Sequence, residues 1–159
     1  MKTILFIICS VISVATLNAQ DLEGVISRND LETEPYNEWF SKNYDVAHPN
    51  DATFLKLHKA LQGKSITIVM GTWCGDSKIY VPYFFKLMDL VKTDIPIKII
   101  AINKEKKAKG VDLNKYDIKR IPTFIVYDEK GKELGRIVES PRYSIEDDLL
   151  DILNKNGKE

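Results

Sequence analysis

The residues best suited to chemistry lie in the short segment 73–78, which reads Trp-Cys-Gly-Asp-Ser-Lys. A cysteine thiolate is a strong nucleophile and can exchange with disulfides. The chain has only one other cysteine, Cys9. If Cys9 is lost with a leader segment, Cys74 has no partner for an intrachain disulfide. It is then an inert thiol, an intermolecular disulfide or a working nucleophile.

The first 19 residues have the layout of a secretory signal peptide. A basic start at Met1-Lys2 precedes an apolar run over 4–14 and a stretch of small and polar residues that ends at Ala19. The run is shorter than the roughly 20 apolar residues that span a bilayer. We therefore expect cleavage after Ala19 and a mature chain, residues 20–159, that is periplasmic or secreted.

The charge balance of the chain excludes several classes of partner. The chain has 23 basic and 23 acidic residues, and no second long apolar run follows the leader. We expect neither a nucleic-acid partner nor a membrane span in the mature chain. The two histidines and one cysteine of the mature chain are too few and too distant for a zinc site, which usually needs four ligands. No metal and no cofactor are predicted, and the oligomeric state is open.

Strand and helix patterns surround the cysteine segment. A buried strand is predicted at 65–70 and a two-sided apolar helix, interrupted by Pro82, at 79–92. Further elements are predicted as a helix ending near Gly63, a strand at 95–102, a short helix at 111–116, strands at 124–127 and 134–138 joined by a hairpin turn, and a last helix capped by Ser144. Residues 20–50 show no strong period apart from a short aromatic helix at 36–40. This order predicts an α/β sandwich with a mixed sheet.

Taken together, these features resemble the thioredoxin superfamily. The family's active-site motif, Trp-Cys-x-x-Cys, ends a buried strand and opens a helix; residues 73–75 and Lys78 match it. Pro82 matches the kinking proline of the active-site helix, and Ile-Pro-Thr at 121–123 matches the segment whose proline is cis and faces the cysteine. The match covers about 55–153 and leaves 20–50 as an N-terminal helical extension.

The resemblance implies a fold and a set of site residues. The fold is a thioredoxin-like three-layer sandwich with a central mixed β-sheet flanked by helices, formed by one domain over 20–159. The catalytic residues that it implies are Cys74 and Ser77. The substrate-binding residues that it implies are Trp73, Gly75, Asp76, Ile121, Pro122 and Thr123. At a helix start, backbone N–H groups favour a thiolate on Cys74, Ser77 is placed to donate a hydrogen bond to it, and Asp76 opposes it by charge.

The sequence departs from the family at the second cysteine. Ser77 stands in its place, and a hydroxyl cannot release a mixed disulfide by attacking it. The family's buried carboxylate is also missing, since Ile68 occupies its position. Two functions remain open on these residues. One is a single-cysteine thiol–disulfide oxidoreductase that exchanges with an exported protein or a small-molecule thiol. The other is a redox-inactive binding module that docks an extended peptide.

Overall fold

A five-stranded mixed sheet forms the centre of the computed structural model, which describes residues 20–156. The predicted signal peptide and Cys9 lie outside these residues. The strands are β1 (Gly24–Ile26), β2 (Ser65–Met70), β3 (Ile97–Ala101), β4 (Thr123–Tyr127) and β5 (Glu133–Val138). The helices are α1 (Arg28–Leu31), α2 (Asn37–Asp45), α3 (Phe54–Ala60), α4 (Gly75–Val91) and α5 (Ile145–Asn156), with 3-10 turns at Asp51–Thr53 and Leu113–Tyr116.

The strand order β1-β3-β2-β4-β5 brings the two segments of the predicted site, 73–77 and 121–123, to the same end of the sheet. β2 lies at the centre, parallel to β3 and antiparallel to β4. Five of its six residues are buried, as expected for a strand rich in β-branched side chains that is covered on both faces. Because β2 ends where β4 begins, with Val69 opposite Thr123, the segment after β2 lies beside the segment before β4.

The sheet separates two apolar layers. Alternate residues of β2, Ile66, Ile68 and Met70, join the large core that α4 and α5 cover. Val69 faces the other way and packs with Ile100 and Ile102 against residues 108–121. That segment holds only a single 3-10 turn where a short helix was predicted. Layers on both faces of the sheet confirm the predicted thioredoxin-like sandwich. One outer layer consists of helices, and the other is mostly loop.

The N-terminal extension is helical, as predicted, and it also supplies an edge strand that the sequence did not indicate. β1 pairs antiparallel with β3. It has three residues, and Val25 is 59% exposed, so no alternating apolar pattern marks it. α2 buries Phe40 against α4, with the Phe40 and Phe85 ring centroids 6.1 Å apart. None of the helices within residues 20–156 is long and apolar enough to cross a bilayer.

An ion-pair cluster fastens the extension to α4. Arg28 donates to Asp89 at 2.8 Å, and its guanidinium lies 5.0 Å from the centre of the Phe85 ring. Tyr44 also donates to Asp89, at 2.7 Å. Burial raises the pKa of Asp89, but the hydrogen bonds from Arg28 and Tyr44 together outweigh it, so this pKa lies below its usual value. The cluster therefore joins α1 and α2 to α4 through one carboxylate.

Replacing Arg28 with alanine should lower the free energy of unfolding by about 1 kcal/mol, because a third of the side chain is in water and screening weakens the pair. Folding lowers the pKa of Asp89, so its contribution is present above the unfolded value of about 4 and is lost as the pH falls through the folded value. The difference between wild type and Arg28→Ala should shrink below about pH 4. Urea unfolding at several pH values measures both effects.

A matched control is Arg142→Ala, which removes a more exposed pair with Asp151. We expect a change below about 0.5 kcal/mol for this variant. Equal losses for the two variants would contradict the role given to Arg28.

Candidate functional site

Cys74 is the residue that opens α4. It is half-buried, and it adopts an extended backbone conformation as the N-cap of the helix. Its N–H donates to the carbonyl of Gly71 at 3.0 Å, and its own carbonyl accepts from Lys78 at 3.1 Å. The turn from β2 into α4 therefore closes on this residue. The predicted helix over 79–92 begins four residues earlier, at Gly75, and continues through Pro82.

The thiol of Cys74 faces the loop that precedes β4. Its Sγ–H donates to the carbonyl oxygen of Ile121 at 3.6 Å. The Ile121–Pro122 peptide bond is cis. The sheet order thus places the cysteine and the Ile-Pro-Thr segment in direct contact.

The backbone of this loop is only partly used by the fold. The Pro122 carbonyl accepts from Glu139 at 2.7 Å, and the buried Thr123 hydroxyl donates to the carbonyl of Arg120 at 2.6 Å. Thr123 also lies between β2 and β5. The hydrogen bonds recorded over residues 20–156 give no acceptor to the Ile121 N–H. The fold therefore leaves the N–H of Ile121, the residue whose carbonyl contacts the thiol, without an acceptor among residues 20–156.

Ser77 is fully buried, and its hydroxyl is directed at the end of β2. Its Oγ accepts a hydrogen bond from the Gly71 N–H at 3.3 Å. The hydrogen bonds of the described part of the chain include none between Ser77 and Cys74. In this structure the hydroxyl positions the start of α4 against β2, and its predicted action on the thiolate stays a prediction.

Trp73 folds back over the end of the sheet. Its indole Nε1–H donates to the carbonyl of Ile102 at 2.9 Å. The ring covers Gly71, where a Cβ would lie 2.8 Å from Nε1 and 3.0 Å from Cδ1 of Ile121. Gly71 was not among the predicted site residues. Its position between a buried strand and the Trp-Cys pair is the sequence signal that marks it.

Substitution of Gly71 by alanine should displace Trp73 and lower the free energy of unfolding by about 1–3 kcal/mol, the usual cost of overpacking. The added methyl group meets the Trp73 indole, which its hydrogen bond to Ile102 holds in place, and the end of the Ile121 side chain. Tryptophan fluorescence of the native protein should change as well, and denaturant unfolding gives the energy.

Gly75→Ala is the matched control, because a Cβ there meets nothing within 4 Å. We expect it to be neutral or slightly stabilising, since alanine favours the helix. A Gly71→Ala protein with unchanged fluorescence and stability would contradict the packing argument.

The N-terminal extension also borders the site. The buried Thr72 hydroxyl accepts from the Leu22 N–H at 3.3 Å and donates to Asp21 at 3.4 Å. On the other side, the Lys78 ammonium lies 5.9 Å from the centre of the Trp39 ring. The sequence did not indicate that Asp21, Leu22 and Trp39 reach this site, since no pattern in 20–50 predicts contact with the cysteine segment.

The predicted site residues lie in two segments, 73–77 and 121–123, which come together at the Cys74 thiol. Gly75 is exposed and Asp76 is half-buried in the first turn of α4, next to Cys74. Beside them, a cavity of about 260 Å³ opens between Trp73 and Ile121 on one side and residues 106–120 on the other. Residues 20–156 hold no group of three or more His, Cys, Asp or Glu that is arranged to bind a metal ion.

Comparisons with known proteins support the fold. A family model described as thioredoxin matches residues 25–149. This match begins further toward the N-terminus than residue 55, where the resemblance in the sequence begins. No curated protein matches the chain at a significant level.

Two solved structures are similar to this chain. One is a Pseudomonas aeruginosa protein of unknown function, with 19% identity over 74% of this chain and 79% of that chain and a TM-score of 0.46. The other is an HIV epitope scaffold, with 20% identity over the same shares of each chain and a TM-score of 0.50. At such identities a likeness bears on the fold alone.

Proposed function

Because this chain belongs to the thioredoxin family, we propose that it performs thiol–disulfide exchange through Cys74 alone, with the second thiol supplied by another molecule. One observation carries the proposal. The only cysteine among the described residues opens α4, with its sulfur 3.6 Å from the carbonyl oxygen of Ile121. N–H groups at a helix start have no helical acceptors, so they favour negative charge on a sulfur placed there.

The exchange proceeds in two balanced steps. The Cys74 thiolate attacks one sulfur of a partner disulfide, a new bond forms between the two sulfurs, and the other partner sulfur leaves with the electron pair and takes up a proton. An external thiol, as its thiolate, then attacks the partner sulfur of this mixed disulfide. That attack releases the Cys74 thiolate and leaves the partner joined to the external thiol. No oxidant is consumed in either step.

Before the attack, Cys74 must lose a contact. Its thiol donates to the carbonyl of Ile121, and a thiolate has no proton for that bond. A ligand strand that pairs with the free N–H of Ile121 approaches the same sulfur from the solvent side. We propose that Ile121, Pro122 and Trp73 align the partner disulfide, while Gly75 leaves space for it because it carries no side chain.

Mass spectrometry of the purified chain 20–159 tests the proposal. With a model peptide disulfide and no added thiol, one peptide should remain attached to each molecule through Cys74. Addition of reduced glutathione should release the peptide and allow continued turnover. Failure to form the adduct under conditions where a free cysteine peptide reacts would reject exchange at this site.

The alternative is a redox-inactive module that docks an extended peptide. Its supporting observation is Ser77, whose hydroxyl is buried and bonded to Gly71 in place of a second thiol. On this alternative, peptides bind with the same affinity whether or not they carry a disulfide, and Cys74 stays unmodified. Binding and adduct formation measured on the same peptide set separate the two functions.

The proposed partners are thiols or disulfides of exported proteins, or a small-molecule thiol, in the periplasm or outside the cell. Support for this location comes from residues 1–19 alone. N-terminal sequencing of the protein recovered from cell envelopes tests it. A chain that starts at Gln20 supports export, and a chain that retains residues 1–19 opposes it.

A further inference from the structure

Positive charge is concentrated beside the cysteine. Residues 102–121 carry seven basic and three acidic side chains, a formal charge of +4, whereas the whole chain has 23 of each sign. The segment starts where Trp73 bonds to Ile102 and ends at Ile121, which contacts the thiol. The remainder of the chain is therefore acidic on balance, and this segment is basic.

The cavity beside Trp73 collects part of this charge. Its charged lining consists of Lys106, Lys119, Arg120 and Asp117. The Ile121 side chain forms part of its wall while the Ile121 carbonyl contacts the sulfur of Cys74. A partner side chain bound in the cavity therefore comes from a residue about one position away from the cysteine whose disulfide meets the Cys74 thiol. Its volume of about 260 Å³ lies just below the usual range for small-molecule sites and is suited to a side chain.

The three cations differ in how far the chain neutralises them. Lys119 pairs with Asp117 at 2.6 Å, and Arg120 pairs with Glu139. Lys119, Asp117 and Arg120 are exposed and Glu139 is half-buried, so both cations can exchange these weak pairs for a ligand carboxylate at little cost. Lys106 has no ion pair among residues 20–156. Its backbone adopts φ of 58°, in a tight turn where Asn103 accepts from the N–H groups of Lys106 and Lys107, each at 2.9 Å.

We propose that this pocket binds the carboxylate of an acidic residue that neighbours the reacting cysteine in a partner protein. The inference rests on the proposed function and specifies its substrate class. Lys106 supplies the unpaired positive charge, and Lys119 and Arg120 add to the field. The acidic side chain holds the partner's disulfide in register with Cys74, so it speeds the first exchange step.

The test uses peptide disulfides that differ only at the residue next to the cysteine, as Glu, Gln or Lys. The rate constant for adduct formation at Cys74 is measured at low and at high salt. At low salt the Glu peptide should react about three- to tenfold faster than the Gln peptide, with Lys slowest, and high salt should remove most of the difference. In Lys106→Glu the preference for Glu should disappear.

Lys130→Glu is the matched control, because it makes the same charge change in the β4–β5 turn at the opposite end of the sheet. It should keep the wild-type preference. Equal rates for the three peptides in the wild type, or equal effects of the two variants, would overturn the inference while leaving exchange intact. If no peptide reacts, the proposed function fails, and this inference fails with it.

A second arm separates a protein partner from a small one. Glutathione disulfide is compared with its ester, in which the carboxylates are neutralised. A charge preference that appears with this pair but not with the peptides would overturn the assignment to a protein side chain.

Discussion

Replacement of Cys74 by alanine should reduce thiol–disulfide exchange to the rate of the buffer. The reason is chemical, because Cys74 is the only cysteine in residues 20–159 and no other side chain there can form a mixed disulfide. Peptide adducts should be absent from the mass spectrum, and glutathione-dependent turnover should equal that of a reaction without protein. No other single substitution in the chain is expected to have so large an effect on activity.

The fold should tolerate this change, so the loss can be assigned to chemistry. The Cys74 side chain makes no helix-capping hydrogen bond, and within residues 20–156 its only hydrogen bond is the weak one to Ile121. We expect the free energy of unfolding to change by less than about 1 kcal/mol. Peptide binding without exchange should also survive in Cys74→Ala. Exchange activity that persisted in this variant would reject the cysteine mechanism.

The central elements of the fold could be predicted because their signals are local. β2 and β4 are short apolar runs bounded by turn residues, and α5 has a cap at Ser144 and an apolar stripe. The predicted strand at 95–102 begins two residues later, at Ile97, because Pro96 cannot donate to a ladder, and it ends at Ala101. Each of these elements carries enough buried residues to be visible without its neighbours.

The parts that were missed depend on distant contacts. β1 exists only because β3 offers an open edge, and its own three residues carry no pattern. The first turn of α4 contains Gly75, Asp76 and Ser77, which are weak helix formers. That turn is held in place by the hydrogen bond between Ser77 and Gly71, a contact that no periodicity can reveal.

The candidate site likewise has features that the sequence predicted and features that it did not. A family motif was enough to predict that Cys74 and Pro122 lie close together, because the strand order fixes which loops lie at the same end of the sheet. It did not predict where the Ser77 hydroxyl points, or that Gly71 must lack a Cβ beneath Trp73. The basic pocket was likewise missed. Its walls come from residues up to 48 positions apart, so no local pattern in the sequence indicates it.

Substitution of Ser77 by cysteine should convert the chain into one that completes the exchange by itself. Ser77 is the third residue of α4, the position that an N-cap side chain reaches in a capping box, so a thiol there is within reach of Cys74. In Ser77→Cys the peptide adduct should be lost without added thiol, at least about a hundredfold faster than in wild type, because attack within one molecule has a high effective concentration. Time-resolved acid quenching and mass spectrometry follow the adduct.

Ser77→Ala supplies the control for this gain. Both variants remove the hydroxyl that accepts from Gly71, so both should lose a similar amount of stability, about 1–3 kcal/mol. Only the cysteine variant gains a second thiol, so only that variant should release the peptide adduct without added thiol. A persistent adduct in Ser77→Cys would mean that the buried position keeps its side chain from the mixed disulfide. Rapid release would instead show that residue 77 alone separates this chain from a self-resolving dithiol protein.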